Sequence, residues 1–231
     1  MRRPLLLALL MISVVGAAAT LSVVVASTIH SPTSQLATQV AGGAQKLFES
    51  GQREEAINAL EEALKLSPGS LIARRELAME LVAMGRTDAA IEQLELVLKA
   101  SPGDAGAAAK LADMLWETGR QDRAITYLRL ACKLEPGNGM HWVTLANWLL
   151  ETGDVEAALP AAQNAVELAE GVPEAHLDLG FALWRTGDPN AAAKSFRQVL
   201  SLDPGNPIAR HALAELAAHH NAAPPLPFKQ L

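Results

Sequence analysis

The sequence predicts an all-α solenoid of stacked helix-turn-helix units, and three observations carry that prediction. A glycine recurs every 34 residues, at Gly51, Gly85, Gly119, Gly153 and Gly187. An alanine keeps the same step at Ala56, Ala90, Ala124, Ala158 and Ala192. A proline closes the units at Pro68, Pro102, Pro136 and Pro204, with Glu170 standing in the fourth place. A two-helix unit with one broad apolar side cannot bury that side alone, so neighbours of the same kind must cover it.

Each marker has a mechanical reason. Glycine permits the positive φ that ends the first helix without a Cβ clash. Alanine lets the two helices of a unit approach closely. Proline stops the second helix and sets the start of the next unit.

Residues 105–138 show the plan most plainly. Amphipathic patterns over 107–117 and 122–134 flank a turn at Thr118, Gly119 and Arg120, and Pro136, Gly137 and Asn138 close the unit. The same register places repeats at 37–70, 71–104, 105–138, 139–172 and 173–206. Residues 207–219 continue as one more helix without a partner, which reads as a cap on the last repeat. Residues 31–36 read as a polar tether and 220–231, with Pro224, Pro225 and Pro227, as an extended tail. Two departures stand out. Gly42 and Gly43 fall inside the first helix and cost about 2 kcal/mol together relative to alanine, so that helix is expected to fray or bend. Pro160 lies early in a second helix and predicts a local kink.

Composition agrees with packed helices. Half of the 231 residues are hydrophobic but only 4% are aromatic, with Ala and Leu dominating the periodic segments rather than the β-branched and aromatic residues of a sandwich. The net charge is −6, and two of the 19 basic residues are Arg2 and Arg3, so the body is more acidic still. Nucleic acid is therefore not an expected partner, because phosphate binding needs a basic face. The single cysteine, Cys132, excludes an internal disulfide framework. It stands where other units have Leu64, Leu98, Val166 or Leu200, and is expected to be a buried structural thiol.

The N-terminus reads as a targeting signal. Arg2 and Arg3 precede residues 4–29, which hold no charge. As a helix that run measures roughly 39 Å, more than the ~30 Å hydrocarbon core requires. The positive-inside rule keeps the N-terminus cytoplasmic and sends the body across the membrane. The expectation is an inner-membrane, single-pass anchor over residues 1–30 with the body on the periplasmic side. The alternative is a cleaved signal peptide, with mature starts near Thr20 or Ser27 and a soluble periplasmic product.

The repeat resembles the tetratricopeptide repeat family over about 170 of 231 residues. The best copies of the family motif are Trp142, Leu145, Ala146, Leu149, Gly153 and Ala158 in one unit, and Leu179, Gly180, Leu183, Gly187, Ala192, Phe196 and Pro204 in the next. The resemblance implies a right-handed superhelix of five repeats whose first helices line a concave groove. One inward row then runs Phe48, Val82, Trp116, Leu150 and Trp184, a second Gln45, Met79, Asp113, Asn147 and Phe181, and a third Ala41, Arg75, Ala109, Val143 and Leu177. The candidate binding groove consists of Phe48, Arg75, Met79, Val82, Asp113, Trp116, Asn147, Leu150, Phe181 and Trp184. Tryptophan is enriched at binding hot spots, so Trp116 and Trp184 are expected to be partly exposed to the groove. The competing reading of the first row is packing between neighbouring first helices. A carboxylate clamp of the kind some relatives use is not supported, because only Arg75 and Asn147 fit and they lie two units apart.

No catalytic constellation stands out. His141, His176 and His211 occupy similar but unequal positions in first helices, and neither metal nor cofactor is expected. The acidic pairs Glu54, Glu55 and Glu61, Glu62 read as a solvated helix face. The functional expectation is a non-enzymatic protein-interaction scaffold or assembly factor that holds a protein or peptide segment in its groove. The alternatives are an apoprotein-holding factor of the cytochrome c maturation type, by fold-level analogy, and a homo-oligomerising envelope protein.

Overall fold

The structure, a computed structural model, describes residues 32–218. The expected anchor or signal over 1–30 and the tail over 220–231 lie outside the described residues. Among those described there are eleven helices and no strand. None of these helices is long and apolar enough to cross a membrane.

The chain divides into two compact units between Ala100 and Ser101. The first holds α1 (Pro32–Glu49), α2 (Arg53–Leu66), α3 (Leu71–Ala83) and α4 (Thr87–Ala100). The second holds α5 (Ala105–Glu117), α6 (Gln121–Leu134), α7 (Gly139–Thr152), α8 (Val155–Leu168), α9 (Pro173–Arg185), α10 (Pro189–Leu202) and α11 (Pro207–Ala218). Helices pair in chain order, α1 with α2 and α3 with α4 in the first unit. In the second, α5 pairs with α6, α7 with α8 and α9 with α10, while α11 packs on α10.

The markers do what their chemistry requires. All five turn glycines have positive φ, between 72° and 90°. At the central one, the Gly119 N–H donates to the Trp116 carbonyl at 3.0 Å and the Arg120 N–H reaches back to Leu115 at 2.8 Å. This is the Schellman pattern that satisfies the last carbonyls of a helix. The five alanines of the second helices are wholly buried. Some helix starts of both kinds, first and second, are capped by side chains, as where Asp104 accepts from the Ala107 N–H at 3.0 Å and Asp188 from Ala191 at 2.9 Å.

A further period-34 device escaped the sequence reading. Four residues early in first helices, Arg74, Trp142, His176 and Arg210, each donate a side-chain N–H to the carbonyl six residues upstream. The acceptors are Pro68 at 2.8 Å, Pro136 at 3.0 Å, Glu170 at 2.8 Å and Pro204 at 3.0 Å. They are the residues of the closing-proline row, so each bond ties a first helix to the loop that precedes it. A carbonyl only accepts, so the His176 Nε2 carries its proton. Ala108 holds this place in α5 and has no such donor.

Two local expectations change. The tether expected over 31–36 is already helical from Pro32, a residue well suited to a first helical position because its missing N–H needs no partner there. The helix expected to fray at Gly42 and Gly43 runs unbroken to Glu49. Its buried alanines, Ala37, Ala41 and Ala44, supply the tertiary packing that outweighs propensity. The helix α8 continues through Pro160 to Leu168, with Pro160 on its exposed side. Cys132 is buried as expected, and desolvation pushes its thiol up to about 11.

Candidate functional site

In the second unit, α7, α9 and the start of α11 enclose a cleft of about 410 Å³. Its apolar walls are Val143 and Leu150 from α7, Leu177 and Phe181 from α9, and Ile208 from α11. Helical spacing places these residues together: 143 and 150 are two turns apart on one face of α7, and 177 and 181 one turn apart on one face of α9. Polar groups rim it. Thr144, Asn147 and Glu151 come from α7, Glu174 and Asp178 from α9, and Asn206 from the loop that caps α11. The Asn147 amide donates to the Asp178 carboxylate at 3.4 Å across the two helices, which fixes the direction of both side chains. Asn206 accepts from the Ala209 N–H at 3.0 Å and so holds the N-terminus of α11 at the cleft edge.

Three of the ten residues expected in the groove line this cleft: Asn147, Leu150 and Phe181. The third predicted row contributes Val143 and Leu177. The structure corrects the expectation for Trp184, which is only 3% exposed and lies edge-on to the Phe196 ring, 6.2 Å between centroids. The cause is the large residue at 196. Phe196 also meets Phe181 edge-on at 5.1 Å, so the phenyl ring draws both first-helix aromatics into the core between α9 and α10. Trp116 is half-buried and stacks on Trp148, which leaves it outside the cleft. Asp113 is half-buried beside it in α5, and burial raises its carboxyl above the usual range.

The first unit carries the other four. Phe48 is half-buried beneath the Arg53 guanidinium, 5.4 Å from the ring centroid. Arg53 also donates to the Ala83 carbonyl at 3.1 Å. Val82 is half-buried, Arg75 is exposed and Met79 is 60% exposed. Behind them Glu80 is buried, its Oε2 accepts no hydrogen bond, and desolvation raises its carboxyl.

The cleft residues absent from the predicted rows are Thr144, Glu151, Glu174, Asp178, Asn206 and Ile208. Glu174 and Ile208 occupy one register position, 34 apart, and that shared step is the signal that could have found them. The histidines do not gather. His176 is engaged with Glu170, and His211 faces Glu215 at 4.0 Å. Among the described residues no three histidine, cysteine or carboxylate side chains are placed to hold a metal ion.

Comparison with known proteins bears on the fold. No curated protein gives a match. Among solved structures the chain is similar to YrrB, described as a TPR protein with an unusual peptide-binding site. The TM-score is 0.66 at 17% identity, over 79% of this chain and 97% of that one. It is also similar to MamA, with a TM-score of 0.64 at 21% identity over 82% of this chain and 98% of that one. For the MamA fragment 41-end from Desulfovibrio magneticus RS-1 the values are 0.63 and 22%, over 74% and 97%. At these identities the likeness establishes the fold alone. Family profiles described as tetratricopeptide repeat match residues 75–139, 143–207 and 177–224, and a second such profile matches 47–99. Those matches extend over more than half of the chain, and on them, with the helix pairs and turn glycines above, the protein belongs to the tetratricopeptide repeat family.

Proposed function

We propose that the protein is a non-enzymatic interaction module that holds a segment of a protein partner in the cleft between α7, α9 and α11. The observation that carries this reading is the cleft itself. It is lined by five apolar side chains, of which Leu177 and Ile208 are part-exposed and Val143, Leu150 and Phe181 are buried, with a short polar rim, and it falls in the size range of about 300–1,000 Å³ typical of ligand sites. The membership of the family supports it, since such repeats commonly present one face of stacked helices to a partner. YrrB, of the same fold, is described as having a peptide-binding site.

The proposal includes export, with residues 4–29 as a membrane anchor that concentrates the module near membrane partners. It rests on the uncharged run behind Arg2 and Arg3. The mass of the mature protein tests it: a product starting near Thr20 or Ser27 replaces the anchor with a soluble form.

The cleft is tested with Leu177→Asp and Ile208→Asp, made together in the full chain and assayed by partner recovery from solubilised cells. Circular dichroism establishes that the variant is folded. Loss of the partner from the folded variant is expected, and undiminished recovery would sink the cleft as the binding site.

A further inference from the structure

We infer that the cleft selects a cationic segment, one in which an aliphatic or aromatic side chain is followed closely by lysine or arginine. This rests on the interaction reading above and specifies its partner. Three of the lining side chains are carboxylates, Glu151, Glu174 and Asp178, and among the described residues no lysine or arginine lines the cleft. The three are not spread evenly. Glu151 ends α7, Glu174 begins α9 and Asp178 follows one turn later, so they border an apolar floor of Val143, Leu177 and Ile208.

The two parts of the cleft ask for different things. The floor admits a hydrophobic side chain, whose burial supplies the affinity. The carboxylates favour a positive group beside it and repel an acidic one, and like-charge repulsion is the stronger discriminator. An anionic terminus is thus the wrong ligand. Among the described residues no lysine or arginine lines the cleft to meet a carboxylate. Asp178 is buried, 4% exposed, with its carboxylate held by the Asn147 amide 3.4 Å away, so the charged rim open to a partner is that of Glu151 and Glu174. The overall charge of −6 works the same way at longer range, by steering cationic segments toward the protein.

The test uses the full chain and three fluorescein-labelled synthetic peptides of equal length: alternating leucine and lysine, alternating leucine and glutamate, and alternating serine and lysine. Fluorescence anisotropy measures binding to the wild type, to Leu177→Ser and to Glu151→Gln with Glu174→Gln. The leucine–lysine peptide is expected to bind about tenfold more tightly than either of the others. The glutamine variant should reduce the preference over leucine–glutamate about fivefold, since exposed charge pairs contribute modestly. Leu177→Ser should weaken the leucine–lysine peptide and leave the weak serine–lysine binding unchanged. Equal binding of the leucine–glutamate peptide, lost in Leu177→Ser, overturns the charge selection and leaves the cleft reading standing. Equal binding of the serine–lysine peptide shows only attraction to an acidic surface, which overturns the inference. Binding of the leucine peptides that Leu177→Ser does not alter, or no binding at all, overturns both.

Discussion

Trp116 and Trp148 stack face to face across α5 and α7, with ring centroids 4.4 Å apart and planes within 2° of parallel. The two lie 32 residues apart and belong to successive first helices, so the stack joins neighbouring helix pairs within the second unit. Trp116 also gives its carbonyl to the turn glycine Gly119, which places its side chain in the last turn of α5. Its role is cohesion between repeats. Trp148→Ala is expected to cost about 3 kcal/mol and Trp116→Ala, less buried, about 2 kcal/mol. A double-mutant cycle in urea should show a coupling of about 1 kcal/mol. Additive losses would remove the stack as a source of stability.

Gly180 and Phe196 form a matched pair. Where α3, α5 and α7 carry Ala78, Ala112 and Ala146, α9 carries glycine, and a Cβ there would stand 2.5 Å from the Phe196 ring. The larger residue on α10 requires the smaller one on α9. Gly180→Ala is expected to destabilise by about 2 kcal/mol despite its better helix propensity. Phe196→Leu, which restores the residue found at Leu94 and Leu128, should recover part of that loss in the double variant. Thermal unfolding measures both. An alanine at 180 that stabilises the wild-type background would contradict the pairing.

Gly42 and Gly43 present the opposite case. A Cβ at either position meets nothing within 4 Å, and neither glycine has positive φ. Replacing each with alanine should stabilise the first unit by about 1 kcal/mol, through helix propensity and a narrower unfolded ensemble. Hydrogen exchange along α1 reads the effect locally, and unchanged protection there would count against it.

Glu80 is a buried carboxylate in α3 at the register position of Met114 and Trp148. Desolvation raises its pKa above the ordinary 4.5, with Arg53 opposing the shift and Glu76 adding to it. Glu76, one turn earlier, is raised by burial as well. The folded state therefore holds these protons more tightly than the unfolded chain does. Stability is greatest while they are bound and falls as pH rises from about 4.5 through the raised values. Glu80→Met, an apolar residue of the kind found at the equivalent positions, should add about 1 kcal/mol at neutral pH and flatten that slope. Urea unfolding at acidic and neutral pH tests both effects; a variant weaker at neutral pH with the slope intact would contradict them.

The repeat was legible in the sequence because its markers act through the backbone and through size. Gly119 needs positive φ and Ala124 needs a small side chain whatever their neighbours are, so spacing alone places them. The groove was less legible because exposure of a first-helix side chain depends on what the second helix sends toward it. Trp184 and Trp116 hold one register position, yet Phe196 draws Trp184 inward while Trp148 engages Trp116 on the helix flank. The wall that Ile208 and Asn206 form was hidden for another reason. It depends on how α11 docks against the pair before it, which the spacing of the repeat does not record. The four side-chain bonds to the closing-proline carbonyls were missed because Arg, Trp and His share a donor N–H and little else that a hydropathy pattern records.

The claim that a protein segment occupies the cleft is tested most directly by site-specific photocrosslinking in cells. A photoreactive residue is placed at Thr144, Leu177 or Ile208 in the cleft, and at Glu167 on the exposed side of α8 as a control. The expected result is one partner captured from all three cleft positions and not from Glu167, with the crosslinked peptide carrying an apolar residue beside a lysine or arginine. Capture as strong from Glu167 as from Leu177, or no capture from the cleft, would contradict it.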